Sequence, residues 1–180
     1  MSMTLPPSLL HKYPTSVFVE TGTCIGEGIQ VALDAGYEDI RSIEVLEGRV
    51  ERTRKRFEGY PGVKIYHGSS SGFVFANMIA DITVPATFWL DAHTDTQPDL
   101  QDDSAPLLDE LMIISEHPVK NHVILIDDMR LCGHGNWRDT TRIKVIGAII
   151  RINPLYDIEY VDSVLKWTND ILVAHVPVEE

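Results

Sequence analysis

Carboxylates close short apolar runs in four places along the chain. Glu20 ends Val17-Phe18-Val19, and Glu44 ends the stretch that starts at Asp39. Asp91 ends Ala86-Thr87-Phe88-Trp89-Leu90, and the pair Asp127-Asp128 ends His122-Val123-Ile124-Leu125-Ile126. Runs of this kind predict buried strands. In an open parallel sheet, ligands bind beyond the carboxyl ends of the strands. One acid placed there can cap a helix or face solvent, but a repeated set converges on one rim. Asp91, Asp127 and Asp128 offer hard oxygen donors suited to Mg²⁺, Mn²⁺ or Ca²⁺. Without a cation, adjacent aspartates repel, and one is pushed toward protonation. His93, just beyond Asp91, is the candidate general base, with a capping or surface histidine as the plainer alternative. Cys132 and His134 could join His93 in another metal set. Arg130 could hold an acidic group or pair with Asp127.

The first acid opens a glycine-rich turn, Glu20-Thr21-Gly22-Thr23-Cys24-Ile25-Gly26-Glu27-Gly28. Strand, glycine turn and helix together let a ligand lie against bare backbone and a helix N-terminus. Glu44 follows at the end of the next strand, where a carboxylate can accept from both hydroxyls of a ribose. A dinucleotide loop would read G-x-G-x-x-G, and this one does not. Cys24 is expected as a small buried thiol.

These groups need a scaffold. Residues 1–16 read as a lead-in. Strands are expected at 17–20, 39–44, 63–66, 86–91 and 122–128. Helices are expected at 26–35, 48–58, 73–80, from Pro106 onward, and at 140–152. Asn153-Pro154 stops the last helix. Residues 157–161 and 170–176 then read as strands whose connection is too short for a helical crossover, so they form an antiparallel pair. Alternating strands and helices imply one α/β domain over 1–180, a mostly parallel sheet with helices on both faces and an antiparallel last strand. Asp95, Asp99, Asp102 and Asp103 fall in a polar loop, read as solvated or as a lid. Trp89, Trp137 and Trp167 are expected in the core or a pocket wall.

The net charge is −12. Binding to nucleic acid through phosphate neutralisation is therefore disfavoured. The basic cluster Arg49, Arg52, Arg54, Lys55 and Arg56 reads as a solvated helix face. No apolar run reaches the roughly 20 residues that span a bilayer. The first residues lack the pattern of a signal peptide. Two cysteines make no disulfide framework, so free thiols in the cytoplasm are expected.

From Val17 to His175 the chain resembles the class I S-adenosylmethionine-dependent methyltransferases, on Glu20-Thr21-Gly22-Thr23-x-x-Gly26, on Glu44 and on the closing hairpin. Phe88-Trp89-Leu90-Asp91-Ala92-His93, Pro106 to Leu111 and His122 to Arg130 look like a bacterial group of that class. More distantly they resemble the macrocin-type metal-dependent O-methyltransferases. The resemblance implies a Rossmann-like seven-stranded sheet. It implies that Gly22, Thr23 and Gly26 pack on the methionine part of S-adenosylmethionine, with Glu20 near its amino group and Glu44 on the ribose. Ser69 and Ser70 stand where the class often has Gly-Asp-Ser beside the adenine. Asp91, Asp127 and Asp128 would hold the metal beside the cofactor, with Asp91 and His93 catalytic. The expected activity is O-methylation of a small hydroxylated substrate, a sugar or natural product. The alternatives are a metal-independent methyltransferase and a non-catalytic nucleoside-binding module. Little chain is left over to select the acceptor, so a homodimer completing the pocket is compatible with the length.

Overall fold

The computed structural model describes residues 4–93 and 105–177. Asp95, Asp99, Asp102 and Asp103 lie outside the described residues. Helix α1 (Pro7–Lys12) precedes β1 (Val17–Thr21), α2 (Glu27–Asp34), β2 (Asp39–Glu44), α3 (Glu47–Arg56), β3 (Val63–His67) and α4 (Phe73–Ile79). Then follow β4 (Ala86–Leu90), α5 (Leu107–Glu116), β5 (Val123–Ile126), α6 (Arg142–Ile152), β6 (Asp157–Val161) and β7 (Ile171–His175). The order across the sheet is β3-β2-β1-β4-β5-β7-β6. Strands β1 to β5 run parallel, and β7 is antiparallel to both β5 and β6. The order reverses between β1 and β4, and a crevice opens at such a reversal.

The strands read as apolar runs because both faces are covered. Val19, Phe88, Ile124 and Leu172 pack on one side with Phe75, Leu111 and Ile149 from α4, α5 and α6. Phe18, Trp89, Leu125 and Val173 pack on the other with Leu9, Ile29 and Val50 from α1, α2 and α3. Each strand thus feeds two cores with alternate residues. Leu111 is fully buried. Leu111→Ala removes buried methyl groups that the surrounding core refills only in part. It is expected to cost about 2–5 kcal/mol in equilibrium urea unfolding. A cost under 0.5 kcal/mol would place Leu111 outside the core.

Strands β4 and β5 end slightly earlier than the sequence suggests. β4 stops at Leu90 and β5 at Ile126, so Asp91, Asp127 and Asp128 stand on the loops just beyond. At the other end of β5, His122 lies outside the strand, and its Nδ1 accepts the amide of Ala86 at 3.1 Å. Helix α6 begins after Thr141, whose hydroxyl accepts from the Lys144 amide. Two of the basic residues of α3 reach the backbone of other elements. Arg54 donates to the Ile65 carbonyl at 2.6 Å and Arg56 to that of Ile25 at 2.6 Å. They tie α3 to β3 and to the glycine turn.

Candidate active site at the β1–β4 crevice

The glycine turn is built by close approach. Gly22 has φ 82°, and a side chain there would put its first carbon 2.6 Å from the Asp91 carbonyl oxygen. At Gly28 that carbon would lie 1.9 Å from Oε1 of Glu20. The second contact sets Glu20 beneath the first turn of α2. Glu20 Oε2 accepts from the Ser42 hydroxyl at 2.5 Å, and Ser42 Oγ stands 2.5 Å from Thr23 Oγ1. Burial, aided by the nearby Glu44 charge, pushes the Glu20 carboxyl up to about 8, against the pull of Ser42.

Glu44 closes β2 as expected, and its oxygens already serve the backbone. Oε2 accepts the Cys24 amide at 2.9 Å, and Oε1 accepts the Leu46 amide at 3.0 Å. Each carboxylate oxygen keeps a further lone pair for a ligand hydroxyl. Cys24, expected buried, is half-buried with φ 50°, because the turn must swing its amide toward Glu44. Ser69 is exposed and hydrogen-bonds Ser71 at 2.8 Å, whereas Ser70 is buried. Ser70 turns to Glu110 of α5. Burial raises the Glu110 carboxyl to about 7, and hydrogen bonds from Ser70 and Thr21 pull it back.

A pocket opens on this turn, lined by Thr4, Glu20, residues 22–28 in part, Trp89 and Asp91. Among its lining residues are the acids Glu20, Glu27 and Asp91, and neither lysine nor arginine. The lining therefore suits a cationic ligand and opposes a pyrophosphate.

The remaining acids stand beside it. Burial, and then the charges of Asp127, Asp128 and Glu20, hold the Asp91 carboxyl well above the usual range. His93 is turned inward with a side chain 5% exposed. Its Nε2 contacts Asp128 Oδ2 and lies 3.7 Å from Asp91 Oδ1. Trp137 meets its ring edge-on, with centroids 6.0 Å apart. Asp128 has φ 57°. Burial opposes its ionisation, but His93 and Arg130 outweigh that and hold it below the ordinary carboxylate range. Asp127 accepts from the Thr4 hydroxyl, and its buried Oδ1 has no hydrogen-bond partner among the described residues. Burial and Asp128 push Asp127 up to about 6.

Donor atoms of Asp91, His93 and Asp128 form one group, and those of Asp127, Asp128 and Asp170 form another. Among the described residues, Cys132 and His134 join neither. Arg130 pairs with Asp128 and Asp170 instead of Asp127, since Asp128 carries the side chain that faces it. Its guanidinium lies 5.1 Å over the Trp167 ring. Trp167 is 52% exposed and so outside the core, whereas Trp89 and Trp137 are buried. Thr4, Ser42, Glu110 and Asp170 were not singled out by sequence. No local pattern marks them, since each acts through a partner distant in the chain. An orphaned buried oxygen, crowded acids and mixed oxygen and nitrogen donors fit a divalent cation.

No protein-family model matches the chain, and no curated protein matches it in sequence. Solved structures match over nearly its whole length. SMU.1697c of Streptococcus mutans, solved with S-adenosylhomocysteine (SAH), superposes with a TM-score of 0.61 at 14% identity, over 97% of this chain and 99% of that one. The O-methyltransferase from Bacillus cereus, also in complex with SAH, gives 0.64 at 14% identity, over 95% and 78%. CalS10, an S-adenosylmethionine-bound amino pentose methyltransferase from Micromonospora echinaspora, gives 0.61 at 11% identity, over 94% and 87%. This chain therefore has the Rossmann-like fold of these S-adenosylmethionine-dependent methyltransferases.

Proposed function

We propose that the protein is an S-adenosylmethionine-dependent methyltransferase that methylates a hydroxyl of a small acceptor, a sugar or natural product, with help from a divalent cation. The observation that carries this reading is the acidic pocket on the glycine turn, whose lining has no basic residue. S-adenosylmethionine brings an ammonium and a sulfonium, and a nicotinamide dinucleotide brings a pyrophosphate. A cation favours the ionised forms of Glu20, Glu27 and Asp91, whereas a pyrophosphate finds no basic partner among the lining residues.

Bound there, the cofactor supplies an electrophilic methyl group. Gly22 and Gly26 bring backbone against it, Glu20 and Asp91 balance its charge, and Glu44 offers lone pairs to the ribose. Ser69, the exposed serine of its pair, would meet the adenine edge. Transfer needs the acceptor oxygen in line with the methyl carbon and its proton weakened or removed. Asp91, His93 and Asp128 lie together for either task, and a divalent cation held among the acids would acidify the hydroxyl. Acceptor-selecting groups come from the lead-in, from the loops after β4 and β5, or from a second copy. Among the described residues no helix is long and apolar enough to cross a membrane. Action in the cytoplasm is part of this proposal.

Thermal shift tests the cofactor. A ligand at a hundred times its Kd adds about 2.7 kcal/mol, or about 5–10 °C for a domain of this size. S-adenosylmethionine and SAH are expected to give such shifts, and NAD none. A shift with NAD alone would sink the assignment.

A further inference from the structure

We infer that His93 is a metal ligand rather than the base, and that the divalent cation sits among Asp91, His93 and Asp128. This rests on the methyltransferase reading only for its purpose; the donor geometry stands without it.

The donor atoms of these residues all lie within 4.8 Å of one another. Donors about 2.1 Å from one octahedral ion stand about 3 to 4.2 Å apart. His93 Nε2 is 3.7 Å from Asp91 Oδ1, inside that interval, and its contact with Asp128 Oδ2, closer than that interval, would open on binding. Small side-chain adjustments would thus place an ion among them. The three-aspartate set is less well arranged. Asp127 has Oδ2 engaged by Thr4, and although its Oδ1 is left over, its donor atoms group with those of Asp128 and Asp170 instead of with Asp91 and His93. That second group already has its cation, because the Arg130 guanidinium joins Asp128 Oδ1 to Asp170 Oδ2. Asp128 therefore gives one oxygen to Arg130 and presents the other to His93.

His93 is also poorly placed to serve as a base. Its side chain is almost fully enclosed, against Trp137 on one side and the acids at Nε2. A nitrogen that gives its lone pair to a cation cannot accept a proton, so the roles of base and ligand exclude each other at Nε2. Imidazole with two carboxylates shifts preference from Mg²⁺ and Ca²⁺, which take oxygen ligands, toward Mn²⁺, Co²⁺ and Zn²⁺.

The test uses Mn²⁺ on the full chain, followed by electron paramagnetic resonance. Pulsed spectra of the wild-type complex are expected to show ¹⁴N coupling from a directly bound imidazole, absent in His93→Ala and His93→Gln. Both variants should bind Mn²⁺ at least tenfold more weakly, and Asp127→Asn less than threefold. Mg²⁺ should bind the wild type more weakly than Mn²⁺. The inference is overturned if the wild type takes up no Mn²⁺, or if its complex has no ¹⁴N coupling. It is also overturned if Asp127→Asn loses more affinity than His93→Gln. The spectrum of the wild type decides the matter even where a variant fails to fold. SAH binding, measured by calorimetry on the same samples, separates the two readings. SAH binding without ¹⁴N coupling overturns the ligand assignment alone. Coupling without SAH binding supports that assignment and overturns the methyltransferase reading.

Discussion

Glu20→Gln is expected to stabilise the free protein above neutral pH and to weaken its binding of S-adenosylmethionine. The carboxyl is fully enclosed, and burial sets its pKa at about 8 against an ordinary 4.5. A raised carboxyl pKa means that the folded state holds more protons than the unfolded state between those values. Stability therefore falls as pH rises from about 4.5 to about 8, by about 5 kcal/mol in total and about 3 kcal/mol at pH 7. Glutamine does not ionise and avoids that loss. It still buries a polar amide. A net gain of about 1–2 kcal/mol at pH 7 is expected, or about 3–6 °C in Tm. Unfolding should show no gain near pH 4.5 and a growing gain toward pH 9. A flat difference would mean that Glu20 is hydrated in solution.

The cost appears on binding. A cation in the pocket favours ionised Glu20, so binding near pH 7 expels a proton, and affinity rises with pH up to about 8. Calorimetry in buffers of different ionisation enthalpy reads that proton directly. In Glu20→Gln this release is lost, and affinity falls at least about tenfold, equivalent to about 1.4 kcal/mol. The apo protein thus carries a strained group that its proposed ligand relieves. Stability given up at a site for function is a general feature of proteins. Equal affinity in both proteins would remove Glu20 from the cofactor site.

Much of this arrangement was legible in the chain, for a physical reason. Parallel strands covered on both faces must be apolar throughout, so Val17-Phe18-Val19 and Val123 to Ile126 stand out, and so do the acids that end them. The turn at Gly22 is legible because only glycine tolerates its φ and its contact with the Asp91 carbonyl. Partner choice was not legible. Asp127 and Asp128 are neighbours in sequence, yet one turns to Thr4 of the lead-in and the other to His93 and Arg130. Asp170 reaches this site only because β7 inserts between β5 and β6. That insertion lets Met129 donate to the Asp170 carbonyl at 2.9 Å, and the Arg130 amide to its carboxylate at 3.1 Å. The sequence shows an antiparallel final strand but not the edge at which it enters. Trp167 was misplaced for the same cause. It belongs to the β6–β7 connection, which runs over the surface and puts the indole under Arg130.

Arg130→Met is expected to be the most destabilising change at the rim. Asp128 and Asp170 are 4% and 0% exposed, and Arg130 is the cation that touches both. Removing Arg130 takes from buried Asp170 the cation that pairs with it and leaves Asp128 with His93, and losing one partner of a buried ion pair costs about 3–5 kcal/mol. Arg130 keeps 35% of its side chain in solvent, which screens the pairing, so about 2–4 kcal/mol is the expected loss. The companion variant Asp170→Asn separates charge from packing. If the loss is electrostatic, the double variant should be less destabilised than the sum of the singles, with a coupling of about 1–2 kcal/mol in urea unfolding. Additive losses would assign the effect to the contact of Arg130 with Trp167 instead. The same pairing bears on chemistry. Arg130 holds Asp128 Oδ1, which leaves Oδ2 directed at His93. Without Arg130 that carboxylate can turn, so under the proposed function methyl transfer is expected to fall at least about tenfold while affinity for SAH, for which Glu20 and Glu44 are the proposed contacts, changes little.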